Sequence, residues 1–375
     1  MKPTTELPDG RSDVSRDSAF MRRALELAQK GWGQTAPNPM VGAVVVTDGE
    51  IVGEGYHARF GEDHAEVAAL RDAGERARGS TVYVTLEPCA HMGKTPPCTE
   101  ALIASGAARV VCATRDPNPL AAGGLAWLAA RGVAVTDGIE EQAASELNAP
   151  FFHALHSARP WVTVKLAISL DGAIADAQGN SRWITGEESR RAVHHLRAGH
   201  DAIGVGIGTV IADDPSLTVR DAPAPRVAPR RVVFDRQARL PQTSVLARTA
   251  ASTPTIVITE SAHASRAAEL EKAGIVVIRV ASLVDALYEL RRMQVLSILV
   301  EGGARLAGAM LDAALVDRLV IFQAPVILGA GAVGAFAQTA SARLATASRF
   351  SIVAQRAVGD DSMTVYAAPS RSPGA

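Results

Sequence analysis

Three short motifs between residues 64 and 98 decide how this chain is interpreted: His64-Ala65-Glu66, Glu87-Pro88-Cys89 and Pro97-Cys98. One imidazole and two thiolates can bind a zinc ion and leave its fourth tetrahedral position open for water. The chain has three cysteines, and two of them stand in one loop rich in glycine and proline, each directly after a proline. Each of these motifs alone is weak evidence for a metal site, but together they predict that His64, Cys89 and Cys98 bind Zn²⁺.

Glu66 supplies the group that such a site needs beside its ligands. A hydrolytic deaminase uses a carboxylate that does not bind the metal and that moves protons between the water and the departing amine. Glu66 follows His64 at the spacing used by these enzymes, so we predict that it is a catalytic residue. Cys112 lies in an apolar run and is predicted to be a buried strand cysteine.

The residues around these motifs predict alternating helices and strands after an opening hairpin. The metal ligands fall at helix starts and strand ends, where open α/β sheets place their sites. The pattern therefore predicts a layered α/β fold. The predicted helices are Ser18–Lys30, His64 to about Ala73, Cys98 to about Ser105 and a closing helix at Glu140–Ala149. The predicted strands are a hairpin at Val41–Val46 and from Ile51, and a strand at Thr81–Leu86.

A second α/β pattern begins with the strand Trp161–Leu166, which places a domain boundary near residues 150–159. We therefore predict a first domain over residues 16–150 and a second over 159–368. Two glycine-rich turns in the second half follow strands, at Gly204–Thr209 and at Glu301–Ala304. Backbone N–H groups of such turns can hold phosphates. Neither turn has the spacing of a dinucleotide-binding fingerprint, so nucleotide binding and plain tight packing stay open on this pattern alone.

Composition limits the function classes. The formal net charge is −1, which argues against a nucleic-acid binder because phosphate backbones require a basic face. No stretch approaches the length of a membrane span, and Met1–Ser15 is polar, unlike a signal peptide. Two of three cysteines are assigned to metal, which leaves no disulfide framework and predicts a cytoplasmic location.

The chain from about Phe20 to Ala367 resembles the bifunctional deaminase–reductases of riboflavin biosynthesis. Eight residues separate the two metal-binding cysteines, as in that family, whereas nucleic-acid deaminases typically use CxxC. The resemblance is carried by the runs PNPMVG (37–42), HAE (64–66), EPCAHMGKTPPC (87–98), DPNP (116–119), KLAISLDG (165–172), SRWITG (181–186), ADDPSLT (212–218) and EGG (301–303).

The resemblance implies a cytidine-deaminase-like α/β/α sandwich followed by a dihydrofolate-reductase-like α/β domain, with Zn²⁺ and NADPH as cofactors. It implies catalytic roles for Lys165 and Glu301 beside Glu66. It further implies a substrate site formed by Asn38, His57, Lys94, Ser181, Arg197, Leu217, Arg220 and Glu301, and an NADPH site formed by Ala167, Trp183, Thr209, Asp213, Gly303, Ala304, Arg305, Leu306, Ala307, Gly308 and Ala309. Arg236 stands where some members offer a serine to the cofactor. A small nucleotide-like substrate and a homo-oligomer are expected.

Two alternatives stay open on the sequence. The first is a zinc nucleoside or tRNA deaminase fused to an unrelated domain, which predicts a basic channel and a CxxC pair that this chain lacks. The second is that the C-terminal half is a non-catalytic binding or oligomerisation module. Against this second alternative, the C-terminal half keeps the polar and aromatic residues that the resemblance assigns to the reductase site, namely Lys165, Trp183, Arg197, Asp213 and Glu301.

Overall fold

The computed structural model describes residues 10–92, 96–260, 264–336, 339–340, 343–345, 347 and 349–369. They form two compact units that divide between His156 and Ser157. This division falls inside the stretch where the sequence predicts a change of pattern. Each unit has a sheet and core of its own. Among the described residues, no helix is both long and apolar enough to cross a membrane.

In the described part of the first unit, one sheet has the strand order β2-β1-β3-β4-β5. Strand β1 is antiparallel to β2 and β3, whereas β3, β4 and β5 run parallel. The strands are β1 (Gly42–Thr47), β2 (Glu50–Tyr56), β3 (Thr81–Val84), β4 (Arg109–Cys112) and β5 (Ala134–Asp137), and the helices are α1 (Gly10–Gln29), α2 (Ala65–Ala73), α3 (Cys98–Ser105), α4 (Gly124–Ala129), α5 (Glu141–Leu147) and α6 (Ala149–His156).

Helices cover both faces of this sheet. Ala43 and Val45 of β1 pack in a cluster with residues of α2, α3 and α4. The alternate residues Val44 and Val46 pack in a second cluster with α1 and α5. Successive side chains of a strand point to opposite faces, so this alternation produces the three layers. The predicted α/β/α sandwich is confirmed, and Cys112 is fully buried on β4 as predicted.

The second unit contains a larger sheet, whose described strands follow the order β11-β10-β9-β8-β12-β6-β13-β16-β15. The strands from β11 to β13 are parallel, and β16 and β15 add an antiparallel edge. The strands of this sheet are β6 (Trp161–Ile168), β8 (Ala202–Gly206), β9 (Arg230–Phe234), β10 (Thr255–Thr259), β11 (Val276–Arg279), β12 (Ser297–Glu301), β13 (Arg318–Gln323), β15 (Ser351–Val358) and β16 (Asp361–Ala367). Strands β7 (Ala173–Ala175) and β14 (Val333–Gly334) pair with each other in a separate two-stranded sheet. The helices are α7 (Glu187–Ala198), α8 (Ile207–Asp213), α9 (Val245–Arg248), α10 (Ala264–Lys272), α11 (Leu283–Arg292) and α12 (Ala304–Asp312).

Several parts of the structure differ from the sequence prediction, among them α4, β7 and β14, for which no element was predicted. Helix α1 begins eight residues before the predicted Ser18. The predicted closing helix is two helices, α5 and α6, which meet at Asn148. The hairpin of β15 and β16 was not predicted, because almost every residue of β15 is exposed and the strand lacks an alternating apolar face.

Glycine residues allow α2 to lie directly on β2. A Cβ atom at Gly55 would stand 2.3 Å from the backbone nitrogen of Ala69 and 2.5 Å from the carbonyl oxygen of Ala65. Only glycine allows backbone to approach backbone this closely. This contact fixes the helix whose first turn carries the predicted catalytic carboxylate Glu66.

Candidate active sites

The three predicted zinc ligands come from three separate elements. His64 is the residue directly before α2, Cys89 lies beyond the carboxyl end of β3, and Cys98 is the first residue of α3. Nδ1 of His64 is 3.2 Å from Sγ of Cys98 and 3.7 Å from Sγ of Cys89. All three ligand atoms lie within 4.8 Å of one another. The structure therefore gathers the three residues at one point.

These distances fit a tetrahedral zinc ion. Zn–S bonds of about 2.3 Å and Zn–N bonds of about 2.0–2.1 Å at tetrahedral angles place nitrogen about 3.6 Å from each sulfur. The observed separations of 3.2 and 3.7 Å are close to this value. The hydrogen bond between the two thiols lowers the pKa of Cys89 to about 4, and it also raises the pKa of Cys98. A lowered thiol pKa favours the thiolate form that zinc requires of its cysteine ligands.

Glu66 lies beside the ligand cluster in the first turn of α2, and only 4% of its surface is exposed. Burial raises the pKa of its carboxyl group, while the nearby His64 acts to lower it. A carboxyl group with a raised pKa exchanges protons more readily near neutral pH, which suits a proton carrier.

A cavity of about 310 Å³ opens over Glu66, His64 and Cys89. Two of the predicted substrate residues, Asn38 and His57, line its wall. Lys94, the third predicted substrate residue of this unit, lies outside the described residues. Asp116, Asn118 and Phe151 also line the cavity, but the sequence interpretation gave them no role. The motif DPNP at 116–119 was a signal for the first two, whereas Phe151 stood in the predicted boundary region and had none.

The side chain of His57 is buried, and its contacts define its protonation. Nδ1 lies 3.0 Å from the carbonyl oxygen of Asp63, which can only accept, so Nδ1 carries the proton and donates it. Burial lowers the pKa of His57, which favours the neutral ring. Its Nε2 atom can then accept a hydrogen bond from the amide nitrogen of Asn38, 3.3 Å away. This bond fixes the orientation of the Asn38 amide, whose other end is the acceptor oxygen.

In the second unit, Lys165 and Glu301 stand opposite each other on the neighbouring parallel strands β6 and β12. Burial lowers the pKa of Lys165, while the charge of Glu301 raises it and that of Arg197 lowers it. Nζ of Lys165 lies 5.7 Å from the centre of the Phe322 ring. The structure thus brings the two predicted catalytic residues of this unit together.

Arg197 forms a two-pronged ion pair with Glu301. Nε and Nη2 of the arginine donate to the two carboxylate oxygens at 2.5 and 2.8 Å, and Nη1 donates to the carbonyl oxygen of Thr218 at 2.9 Å. Both side chains are nearly buried. Burial acts to raise the pKa of Glu301, but the charge and hydrogen bonds of Arg197 outweigh it and the pKa is lowered. Glu301 is therefore ionised at neutral pH.

The other predicted substrate residues of this unit differ in what they can offer. Arg220 is exposed, and its backbone N–H donates to Nδ1 of His194 at 3.0 Å. The side chain of Leu217 is buried in a hydrophobic cluster, which leaves its backbone as the part that could meet a ligand. Ser181 is half-buried in the segment between β7 and α7.

The two glycine turns of the second unit lie side by side at the carboxyl ends of β8 and β12. A Cβ atom on Gly302 would stand 3.7 Å from the backbone nitrogen of Gly206, and one on Gly303 would stand 3.8 Å from Oγ1 of Thr209. Gly303 precedes α12 and contributes no capping side chain. Exposed N–H groups at such a helix start suit a phosphate, so these residues fit a dinucleotide.

The residues of the predicted NADPH stretch differ in their burial and in the partners of their N–H groups. Leu306 and Ala307 pack in the core, and their N–H groups both donate to the carbonyl oxygen of Gly303. The N–H groups of Ala304 and Arg305 stand ahead of them in the first turn. The remaining members of the stretch are Gly308, which is buried, and Ala309, which is exposed a full turn further along α12.

The predicted cofactor residues outside α12 are spread over β6, α8 and the segment between β7 and α7. Trp183 is 69% exposed, and the guanidinium groups of Arg190 and Arg182 lie 4.7 and 5.6 Å from its ring centre. Ala167 is half-buried on β6, and Asp213, the last residue of α8, pairs with Arg182 at 3.7 Å.

Arg236 stands just beyond the carboxyl end of β9, and its side chain is exposed. Its Nε pairs with Glu260 at 2.6 Å.

Both halves match known families. Residues 14–114 match the cytidine and deoxycytidylate deaminase zinc-binding region, and residues 160–361 match the RibD C-terminal domain. The riboflavin biosynthesis protein RibD of Aquifex aeolicus is 46% identical over 84% of this chain and 88% of its own length. RibD of Escherichia coli is 43% identical over 92% of this chain and 98% of its own length.

Solved structures give the same result. The structure of Acinetobacter baumannii RibD has a TM-score of 0.81 and 39% sequence identity, and the match covers 95% of this chain and all of that one. A diaminohydroxyphosphoribosylaminopyrimidine deaminase/5-amino-6-(5-phosphoribosylamino)uracil reductase from Thermotoga maritima has a TM-score of 0.83 and 35% identity over the same 95% of this chain. With two family matches and relatives that align over nearly its full length, this chain belongs to the RibD family of riboflavin biosynthesis proteins.

Proposed function

We propose that this chain catalyses two consecutive steps of riboflavin biosynthesis, a zinc-dependent deamination in the first unit and an NADPH-dependent reduction in the second. The proposed substrate is 2,5-diamino-6-ribosylamino-4(3H)-pyrimidinone 5′-phosphate. The observation that carries the proposal is the cluster of His64, Cys89 and Cys98 beside a cavity that His64, Cys89 and Glu66 line. A second group of residues, Lys165, Glu301 and Arg197, supports the second activity.

In the first step, His64, Cys89 and Cys98 would hold zinc, which supplies a water molecule activated for attack at neutral pH. Water adds to the ring carbon that bears the amine, and Glu66 takes a proton from that water. Glu66 then delivers the proton to the amine nitrogen, the carbon–nitrogen bond breaks, and ammonia leaves a carbonyl group on the ring. Asn38 and His57 stand on the cavity wall, where they can orient the pyrimidine.

In the second step, the ribosyl group becomes a ribityl group as NADPH supplies a hydride to C1′. Opening of the sugar ring requires a proton on the ring oxygen, and we assign its delivery to Lys165. Burial lowers the pKa of Lys165, so its ammonium group is a better acid than an exposed lysine. Glu301 is ionised beside Arg197 and has no proton to give, so its role is to orient Lys165 and the sugar.

The phosphate of the second substrate is the expected ligand of Arg220. Its guanidinium is exposed, whereas that of Arg197 already binds Glu301 through two of its nitrogens. Arg220→Ala should therefore raise KM of the reductase for the phosphorylated substrate by about tenfold to a hundredfold. KM for the dephosphorylated substrate should stay within about twofold. Equal losses on both substrates would contradict the assignment, and Arg248→Ala, at an exposed site on α9, is the matched control.

Removal of the metal tests the proposal that deamination requires zinc and that reduction does not. After treatment with a chelator, deamination should fall to background, because the attacking water is no longer activated. Reduction of the deaminated substrate by NADPH should persist, and added Zn²⁺ should restore deamination. Full deamination by metal-free protein, checked by elemental analysis, would contradict the proposal, as would a zinc requirement of the reductase.

The alternative of a single deaminase with a non-catalytic C-terminal module is not favoured, because residues 160–361 match the RibD C-terminal domain. A cytoplasmic location and a homo-oligomeric state stay predictions. The mass of the protein in solution, measured by light scattering, tests the second.

A further inference from the structure

The carboxylate of Glu87 connects the segment that carries Cys89 with a separate loop of the first unit. Glu87 lies two residues before Cys89 and is 7% exposed. Its Oε1 accepts hydrogen bonds from the backbone N–H groups of Gly123 and Leu125, both at 3.1 Å. Its Oε2 accepts from the N–H of Asp116 at 3.2 Å. Both oxygens of this side chain are therefore occupied by the loop from residue 116 to the start of α4.

The start of α4 depends on this carboxylate. Gly123, the residue before the helix, has φ 96° and offers no capping side chain. Glu87 takes over that capping role from a distant part of the chain, because its carboxylate accepts from the N–H of Leu125 in the first turn as well as from that of Gly123 before the helix. The next residue, Gly124, packs against the segment as well: a Cβ atom there would stand 1.8 Å from the carbonyl oxygen of Pro88.

The loop that Glu87 holds is a wall of the deaminase cavity. Asp116 and Asn118 line that cavity together with Glu66 and Cys89. Within the loop, Oδ1 of Asp116 accepts from the backbone N–H of Asn118 at 2.8 Å, so the Asp116 side chain is tied to the backbone that carries Asn118. A displacement of the Asp116 backbone would therefore move both polar groups relative to the metal ligands.

We propose that Glu87 is a positioning residue for substrate binding in the deaminase site, which it serves by fixing Asp116 and Asn118 at a set distance from Cys89. It acts through the loop and touches neither the metal nor the substrate. This inference rests on the proposed function of the first unit. It gives a role to Glu87, which takes part neither in zinc binding nor in the proton transfer of the proposed deamination.

The variant Glu87→Gln tests the proposal with little change of shape. Glutamine keeps one acceptor oxygen but places an amide NH₂ group against one of the three N–H donors, so the wall should shift. KM of deamination should rise about tenfold while kcat stays within about threefold. Zinc content and the reductase activity of the same molecule should equal those of the wild type. Glu75→Gln removes the same charge at an exposed site of this unit and should change none of these values.

Hydrogen exchange on the wild-type protein adds a readout that does not require the variant to fold. The amides of Asp116, Gly123 and Leu125 should be as protected as those of β3, and in Glu87→Gln they should exchange at least about tenfold faster. The proposal is overturned by an unchanged KM in Glu87→Gln, by loss of zinc from it, by a fall in kcat alone, or by unprotected amides in the wild type. If the wild type fails to deaminate, the proposed function is wrong, and the exchange rates still test the bonds of Glu87.

Discussion

Glu66→Gln is expected to lower kcat of deamination by about 10²–10⁴-fold while the protein keeps its zinc. Glutamine preserves the size of the side chain but can neither take a proton from the attacking water nor return it to the leaving amine. Glu66 is buried beside the ligand cluster, but it is not one of the gathered metal-binding residues. Stopped assays of ammonia release, with elemental analysis of the same samples, measure both quantities.

Two comparisons make this result specific. Cys89→Ala should lose the metal as well as the activity, because it removes one of three protein ligands. Glu75→Gln, the exposed control, should resemble the wild type. Zinc depletion in Glu66→Gln to the level of Cys89→Ala would contradict the role of Glu66 as a proton carrier.

Lys165→Met is expected to lower kcat of the reductase by about 10²–10⁴-fold, because the sugar oxygen loses its proton donor. Deamination by the same protein should be unaffected. Methionine fills a similar volume beside Phe322, so the core of the second unit should remain intact. Lys272→Met, at an exposed position on α10, is the matched control. A wild-type rate in Lys165→Met would show that another group supplies the proton.

The pH profile of the reductase follows from the same assignment. The acid form of Lys165 is the active one, so the rate should fall as the pH rises through its pKa. Burial lowers that pKa, Arg197 lowers it further, and Glu301 opposes them. The alkaline limb of kcat/KM should therefore lie below the ordinary lysine value of about 10.4. That limb should be absent from any residual activity of Lys165→Met, and a wild-type profile that stays flat to about pH 10 would contradict the assignment.

The metal site could be predicted from the sequence because its chemistry is local. His64 and Glu66 stand at the start of α2, and Cys89 and Cys98 stand at the two ends of one short segment, so the joint pattern of these motifs indicated the site. The layered α/β pattern followed from the succession of helices and strands, and the resemblance implied the α/β/α sandwich; buried β1, with apolar residues on both faces, fits a strand covered on both sides. The resemblance to a known family added the second activity and its cofactor.

Contacts between distant residues could not be read in this way. Arg197 and Glu301 lie 104 positions apart, and neither motif indicates that the guanidinium of Arg197 would form an ion pair with the carboxylate of Glu301. Glu87 and Leu125 are 38 positions apart, and the bond joins a side chain to a backbone N–H, which carries no residue signature. Leu217 was predicted to bind substrate, but only the fold reveals that its side chain is buried in the core. Tertiary packing decides these cases, whereas spacing decided the zinc ligands.

The most direct test of two active sites in one chain is a single reaction that contains the diaminopyrimidinone phosphate and NADPH. The wild type should release ammonia first and then oxidise an equal amount of NADPH. Glu66→Gln should oxidise NADPH only when the deaminated substrate is supplied, and Lys165→Met should release ammonia without oxidising NADPH. A mixture of the two variants should restore the coupled reaction. Oxidation of NADPH by Glu66→Gln with the diamino substrate, or ammonia release by the wild type with no subsequent oxidation, would contradict the account.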